Sequence, residues 1–140
     1  MDQLKIKMYS FTLDCKDPYE LARFYAALLK WEIPFHNEEF ACIGAPGTAQ
    51  GMYPGITFQR NPAYIPPVWP EEPKEQQQMA HLDLVVNDLE KAVEYAVRCG
   101  ATLAEKQFSD GWRVMLDPAG HPFCLCRIES IFESPHFGLL

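Results

Sequence analysis

Residues 79–127 read MAHLDLVVNDLEKAVEYAVRCGATLAEKQFSDGWRVMLDPAGHPFCLCR, and this stretch decides the fold. Leu82, Leu84 and Val86 alternate with His81, Asp83 and Val85, the period of a strand with two unlike faces. Asp88 (or Asn87) then stands at a helix N-cap. The stripe Leu89, Ala92, Val93, Ala96 and Val97 follows at helical spacing, and Gly100 stops it. Three further strand-like runs come next, at about Thr102–Phe108, Trp112–Leu116 and Pro122–Ile128. The last two are joined by an Asp117-Pro118-Ala119-Gly120 turn, in which proline presets one backbone angle and glycine is free to take a positive one. The stretch is one βαβββ unit.

The N-terminal half carries the same unit. Met8, Phe11, Leu13, Asp17 and Phe24 fall on Met79, Leu82, Leu84, Asp88 and Tyr95 at a constant shift of 71 (79 − 8). Leu4–Cys15 alternates as a long strand, with Phe11, Leu13 and Cys15 on one face and Ser10, Thr12 and Asp14 on the other. Asp17 caps a helix with Pro18 at its first position and Glu20 three residues after the cap. Its stripe Leu21, Phe24, Tyr25 and Leu28 is expected to lie on the Phe11/Leu13/Cys15 face. Trp31–Phe35 and Glu39–Ile43 read as strands joined by a His36-Asn37 turn, and Ile56–Gln59 as a fourth strand. Gly44, Gly47, Gly51 and Gly55 mark a mobile loop. It lacks the Gly-Lys-Ser/Thr and helix start that a phosphate cradle needs.

These readings predict a first module over about residues 4–60, a linker over 61–78, a second module over about 79–128 and a tail over 129–140. The linker, with prolines 62, 66, 67, 70 and 73, reads as an extended strap. Ile131, Phe132, Phe137, Leu139 and Leu140 make the tail apolar enough to pack on the body or on a second subunit.

At 140 residues the chain is long enough for a real core, and 48% hydrophobic with 22% charged residues is a globular balance. A net charge of −7 excludes nucleic acid and anionic membranes as natural partners. The absence of a spanning apolar run, with cysteines 15, 42, 99, 124 and 126 in no scaffold-like pattern, predicts a cytoplasmic protein with free thiols.

Each module's helix covers one face of its sheet and leaves the other open, so two copies must pack together or curl around something. The expected architecture is α+β: two tandem βαβββ modules forming a curved mixed sheet, a half-barrel around a central cleft, with helices outside. The inward positions of the first strands are then Ser10, Thr12 and Asp14, matched by His81, Asp83 and Val85. So polar a set at buried strand centres predicts a wet, ligand-bearing cleft and not a dry core.

The duplicated unit, the HLDL that opens its second copy, the DPAGHPFCL near its end and the ITFQR before the linker resemble the vicinal-oxygen-chelate superfamily, in its glyoxalase-like branch. That group includes glyoxalase I, extradiol dioxygenases and bleomycin-resistance proteins. The resemblance implies a divalent metal held from the first and last strands of each module. Carried over by position, those places are Ser10, about Thr57, His81 and Cys124, and Cys124 stands where a DPxGxxxE pattern has glutamate. Ser10 and Thr57 are poor neutral ligands, so a hard-metal site is expected to be degenerate and no cofactor is expected. His81 with Cys124 would supply half of a soft-metal site, with Asp14 or Asp83 adding a carboxylate. Otherwise His81 is a cavity histidine bonded to Asp14, Asp83 or Ser10, and Cys124 a packing residue.

The function expected from this is binding of a small organic molecule, with Ser10, Thr12, Thr57 and Cys124 as contacts. The alternative is a metal-dependent lyase, isomerase or dioxygenase with Asp83 or Asp14 as base; a metal-free variant pairs His81 with either carboxylate. A homodimer is expected.

Overall fold

A computed structural model describes residues 3–48 and 54–127, and the chain divides between Tyr64 and Ile65 into two compact units. The first holds β1 (Ser10–Cys15), α1 (Pro18–Leu29), β2 (Glu32–His36), β3 (Phe40–Gly44) and β4 (Gly55–Arg60). Its sheet runs β1-β4-β3-β2, with β1 and β4 parallel and the other pairs antiparallel. The second holds β5 (Leu82–Val86), α2 (Leu89–Cys99), β6 (Thr102–Leu103), β7 (Trp112–Leu116) and β8 (Pro122–Arg127). It repeats the topology as β5-β8-β7-β6, again with the outer first strand parallel to the last. Each unit is thus the expected βαβββ module with a mixed four-stranded sheet.

Both helices start where the side chains dictate. Asp17 Oδ1 accepts from the Glu20 amide at 3.1 Å, and Asp88 Oδ1 accepts from the Lys91 amide at 3.1 Å. Gly100 closes α2 at φ 125°, its amide donating to the Ala96 and Val97 carbonyls. In the first unit Leu13, Phe58 and Ala41 are cross-strand neighbours and all buried, and the Tyr25 ring stacks on Phe58 at 5.6 Å. That face lies under α1. Burying side chains such as Phe58 and Tyr25 contributes roughly 1.5–3 kcal/mol each.

Several expectations are corrected. The first strand begins at Ser10 and not at Leu4; Leu4 and Ile6 are each 86% exposed. The ladder partner β4 starts at Gly55, whose amide reaches Tyr9, so the alternating residues before it have no strand to pair with among the described residues. The helix α1 packs mainly over β3 and β4 and only marginally over β1, because those two strands occupy the middle of the sheet. Val97 is exposed, not part of the buried stripe. At 100° per residue it lies about 80° round the helix from Leu89, while Ala96 lies almost beneath it.

The expected strand 102–108 is only Thr102–Leu103. Beyond it the Ala104 amide donates to the Val114 carbonyl, and then a side chain takes over the pairing. Gln107 accepts from the Val114 amide at 2.8 Å through Oε1, and its Nε2 donates to the Val114 and Ala104 carbonyls. Gly44 and Gly55 belong to strands, which shortens the glycine-rich loop; Gly51 lies outside the described residues, as do Ile128, His136 and the apolar tail.

Candidate functional site

The parallel pairing of β5 with β8 sets Asp83 opposite Cys124, with Val114 of β7 next in the same row. Neighbours across a ladder point to the same side, so these three share one face. The repeat identifies the other face as the helix side: Leu84 and Leu125 correspond to Leu13 and Phe58, which lie under α1. His81 lies two residues before Asp83 and on the same side. Its Nε2 is 3.3 Å from Asp83 Oδ1, with the two side chains 40% and 57% exposed.

Cys124 completes the group. One ligand atom each from His81, Asp83 and Cys124 lie within 4.8 Å of one another. The Cys124 thiol is pushed up to about 12, first by burial, then by the Asp83 charge, by Cys126 and by its hydrogen bond to the Asp83 carboxylate. Burial followed by the same carboxylate also raises Cys126. At neutral pH Cys124 is therefore a protonated donor to Asp83. A nucleophilic thiolate is not available in the free protein, although cysteine, histidine and aspartate stand together.

The equivalent row of the first unit holds different chemistry. Thr12 pairs with Thr57 as Asp83 pairs with Cys124, so Thr57 is the counterpart of Cys124 and Ser10 that of His81. Ser10 Oγ and Thr57 Oγ1 lie 2.6 Å apart, hydrogen-bonded to each other. Thr12 and Asp14 are exposed, and Asp14 accepts from Asn61 Nδ2 at 3.2 Å. These polar positions, with His81 and Asp83, are open to solvent and not buried. The expected desolvation cost at strand centres does not arise; what marks them is the grouping of donors.

The four positions carried over by resemblance thus comprise a closed hydroxyl pair and a His/Cys pair. Two neutral hydroxyls that bond each other do not fit a hard divalent cation. On the second unit, Asp83 is the third donor. Periodicity alone left Asp83 level with Asp14, because both lie on the open face of a first strand; the parallel register separates them. Asn61 and Gln107 were missed. Asn61 follows β4 directly, where its amide caps β1 at the Cys15 carbonyl. Gln107 sits inside a run that reads as strand. His36 stacks on Tyr19 at 4.1 Å, and the amide of His121 donates to Asp117 in the turn, so neither belongs to the group. No helix among the described residues is long and apolar enough to cross a membrane.

The family model described as Glyoxalase-like domain matches residues 10–126 of this chain. No curated protein matches it in sequence. Among solved structures it is similar to a glyoxalase/bleomycin resistance protein/dioxygenase family enzyme from Burkholderia phytofirmans PsJN. There the TM-score is 0.65 at 14% identity, covering 88% of this chain and 99% of the other. The trypanothione-dependent glyoxalase I of Leishmania major gives a TM-score of 0.62 at 12% identity, covering 92% and 91%. A glyoxalase-related enzyme from Fulvimarina pelagi gives 0.59 at 17%, covering 89% and 88%. At these identities the likeness is one of fold.

Proposed function

Since the chain belongs to the glyoxalase-like domain family, we propose that it binds a small organic molecule against the open sheet face that carries His81, Asp83 and Cys124, and that the four-residue metal set of its superfamily is degenerate. The observation that carries this reading is the Ser10–Thr57 hydroxyl pair at 2.6 Å, which stands where a metal enzyme of this fold needs donors. The face offers an imidazole and a carboxylate open to solvent, which suits a ligand bearing a carbonyl or hydroxyl group. Cys124 is a proposed ligand contact on this face, and Ser10, Thr12 and Thr57 are those proposed on the corresponding face of the first unit. Thermal-shift screening of aromatic and dicarbonyl compounds tests the reading. Stabilisation that is lost in His81→Ala supports it, and no stabilisation by any such compound counts against it.

A second reading, a metal-dependent lyase, isomerase or dioxygenase, is favoured by the proximity of three ligand-type side chains. A cation there would polarise a bound carbonyl or hydroxyl oxygen, and the residues left to move a proton are Asp83 and Asp14. The expected homodimer and cytoplasmic location belong to the same proposal. Exposed Leu4, Ile6 and Met8 supply apolar surface for self-association, and light scattering of the purified chain tests it.

A further inference from the structure

We propose that the loop between β6 and β7 holds a separate binding site for a small aromatic carboxylic acid. The free edge of the Arg113 guanidinium takes the carboxylate, and the Phe108 ring takes the body. The site lies apart from the group formed by His81, Asp83 and Cys124. Arg113 is paired with Leu125 in the ladder and shares its helix-side face, whereas Val114, the next residue, shares the face of Cys124.

Gln107, Phe108, Ser109, Asp110 and Arg113, all of the second unit, line a hollow of about 450 Å³, a size that suits a small molecule. Its frame is fixed before any ligand arrives. Gln107 commits its carboxamide to the backbone of Ala104 and Val114. Ser109 Oγ accepts from the Gly111 amide at 3.0 Å. Arg127 donates to the Asp110 carbonyl through Nη2 at 3.2 Å and to the Gly111 carbonyl through its amide at 2.9 Å. A frame built in advance lowers the ordering cost of binding. Arg113 supplies the recognition. Its Nη1 donates to the Ser109 and Trp112 carbonyls, each at 2.9 Å, which orients the guanidinium. The other edge, Nε–H beside Nη2–H, has no protein partner among the described residues, and Asp110 in the same loop forms no ion pair with it. Those two N–H bonds run side by side and match the two oxygens of a carboxylate. Bracing the loop uses Nη1 alone; the open fork on a half-buried cation is what an anion would fill.

Two features choose the ligand. The first is charge. Lys106, Arg113 and Arg127 outnumber Glu105 and Asp110 around the loop, a small positive excess on a chain of net charge −7. That excess suits a monoanion, and the Asp110 carboxylate in the lining would repel the second charge of a phosphate. The second feature is the ring. Phe108 is 54% exposed, meets Trp69 edge-to-face at 5.9 Å and has the Lys106 ammonium 5.3 Å from its centroid. An exposed ring braced by a second aromatic offers a flat apolar body a surface to stack on. A carboxylate joined directly to an aromatic ring answers both.

The test titrates the full chain with benzoate, with its uncharged isostere benzamide and with inorganic phosphate, and follows the backbone amides by two-dimensional NMR. Benzoate should saturate with a Kd below about 1 mM and move the amides of residues 107–113. Charge-assisted hydrogen bonds are worth on the order of 10- to 100-fold in affinity, so benzamide should bind more weakly by about that factor. Arg113→Lys, which keeps the charge and loses the fork, should weaken benzoate to a similar extent. Phe108→Leu leaves every hydrogen bond of the loop in place and should weaken it about 2- to 10-fold through the lost ring contact. His81→Ala should leave benzoate binding unchanged. The ligand-free spectra of the variants check that the loop keeps its conformation. No saturation by about 10 mM benzoate overturns the proposal, as does benzamide binding equally well or an Arg113→Lys loss below about threefold. Phosphate binding more tightly than benzoate overturns the ligand class. Benzoate binding that disappears in His81→Ala also overturns the proposal, because it assigns the compound to the open sheet face and supports the reading given above.

Discussion

Replacing Gly120 by alanine should destabilise the second unit, and the size of the effect depends on Pro66. Gly120 closes the turn between β7 and β8 at φ +90°, with its amide donating to the Asp117 carbonyl at 2.8 Å. A Cβ there would stand 2.9 Å from Pro66 Cβ and 3.7 Å from its Cγ. The positive φ costs an L-residue about 1–2 kcal/mol. The overlap with a rigid ring adds roughly 1–3 kcal/mol, as overpacking does in a core. Gly120→Ala should therefore lose about 2–5 kcal/mol in all. In a Pro66→Gly background Cβ and Cγ are gone, and only the backbone cost of about 1–2 kcal/mol should remain. Pro66→Gly is itself destabilising through the unfolded chain, but that part cancels in the double-mutant cycle. Urea unfolding in a Trp31→Phe background suits the measurement. The remaining tryptophans, Trp69 and Trp112, both lie in the second unit, so fluorescence follows that unit alone. A coupling energy of about 1–3 kcal/mol is expected. A cost for Gly120→Ala that is equal in both backgrounds, within roughly 0.5 kcal/mol, would refute the claim that Pro66 packs on this turn.

Three further outcomes are expected. Asp17→Ala and Asp88→Ala should each cost about 1 kcal/mol in urea unfolding, with Asn at either position restoring most of it, because each carboxylate caps one helix amide. Gln107→Ala removes the side-chain acceptor of the Val114 amide and should cost about 1–3 kcal/mol; faster hydrogen exchange at Val114 would locate the loss. The Cys124 thiol should resist alkylation until the pH nears 12, against 9.0 for an ordinary thiol, and Asp83→Asn should lower that midpoint only in part, since burial is the larger cause. The folded pKa lies above the unfolded one, so this thiol favours the folded state fully below pH 9 and loses that contribution as the pH rises from 9 towards 12. Peptide-resolved labelling across that range checks both statements.

The parts of the fold that follow from local rules were legible in the residues. Asp17 and Asp88 announce helix starts, Gly100 a stop, and Asp117-Pro118-Ala119-Gly120 a turn, because each acts within four residues of itself. The parts that failed depend on a partner strand. Leu4, Ile6 and Met8 alternate well, yet a strand needs a ladder, and β4 begins at Gly55. Residues 104–108 carry strand-like composition, but a carboxamide from Gln107 supplies pairing that backbone would otherwise give, and no periodicity encodes that. At the candidate site His81 was legible through the duplication, and Cys124 through the resemblance that sets it where a DPxGxxxE pattern has glutamate. Asp83 and Asp14 stood as alternatives for the carboxylate beside them, and the choice between the two rests on a parallel register between strands about forty residues apart in the chain.

The repeat explains how two copies of one unit came to differ in what they offer a ligand. The helices, caps and first strands hold a common shift of 71, and that conserves the packing: Leu13 and Leu84 both turn to the helix side. The last strands do not keep the shift. Thr57 corresponds to Cys124 at 67 (124 − 57), because the turns that precede them differ in length while the parallel pairing with the first strand is kept. Packing therefore constrains one face of each sheet closely and leaves the other free to change. On that free face the first unit has a hydroxyl pair beside Thr12 and the second has imidazole, carboxylate and thiol, three matched positions on each of two like frames with unlike chemistry. Copying the second unit's side chains onto the first, with Ser10→His, Thr12→Asp and Thr57→Cys, should then give the first unit the same donor group without disturbing its core, because none of the three lies on the Leu13–Phe58–Ala41 face. If the frame and not the residues decides the chemistry, the substituted chain will take up no more cobalt than the parent.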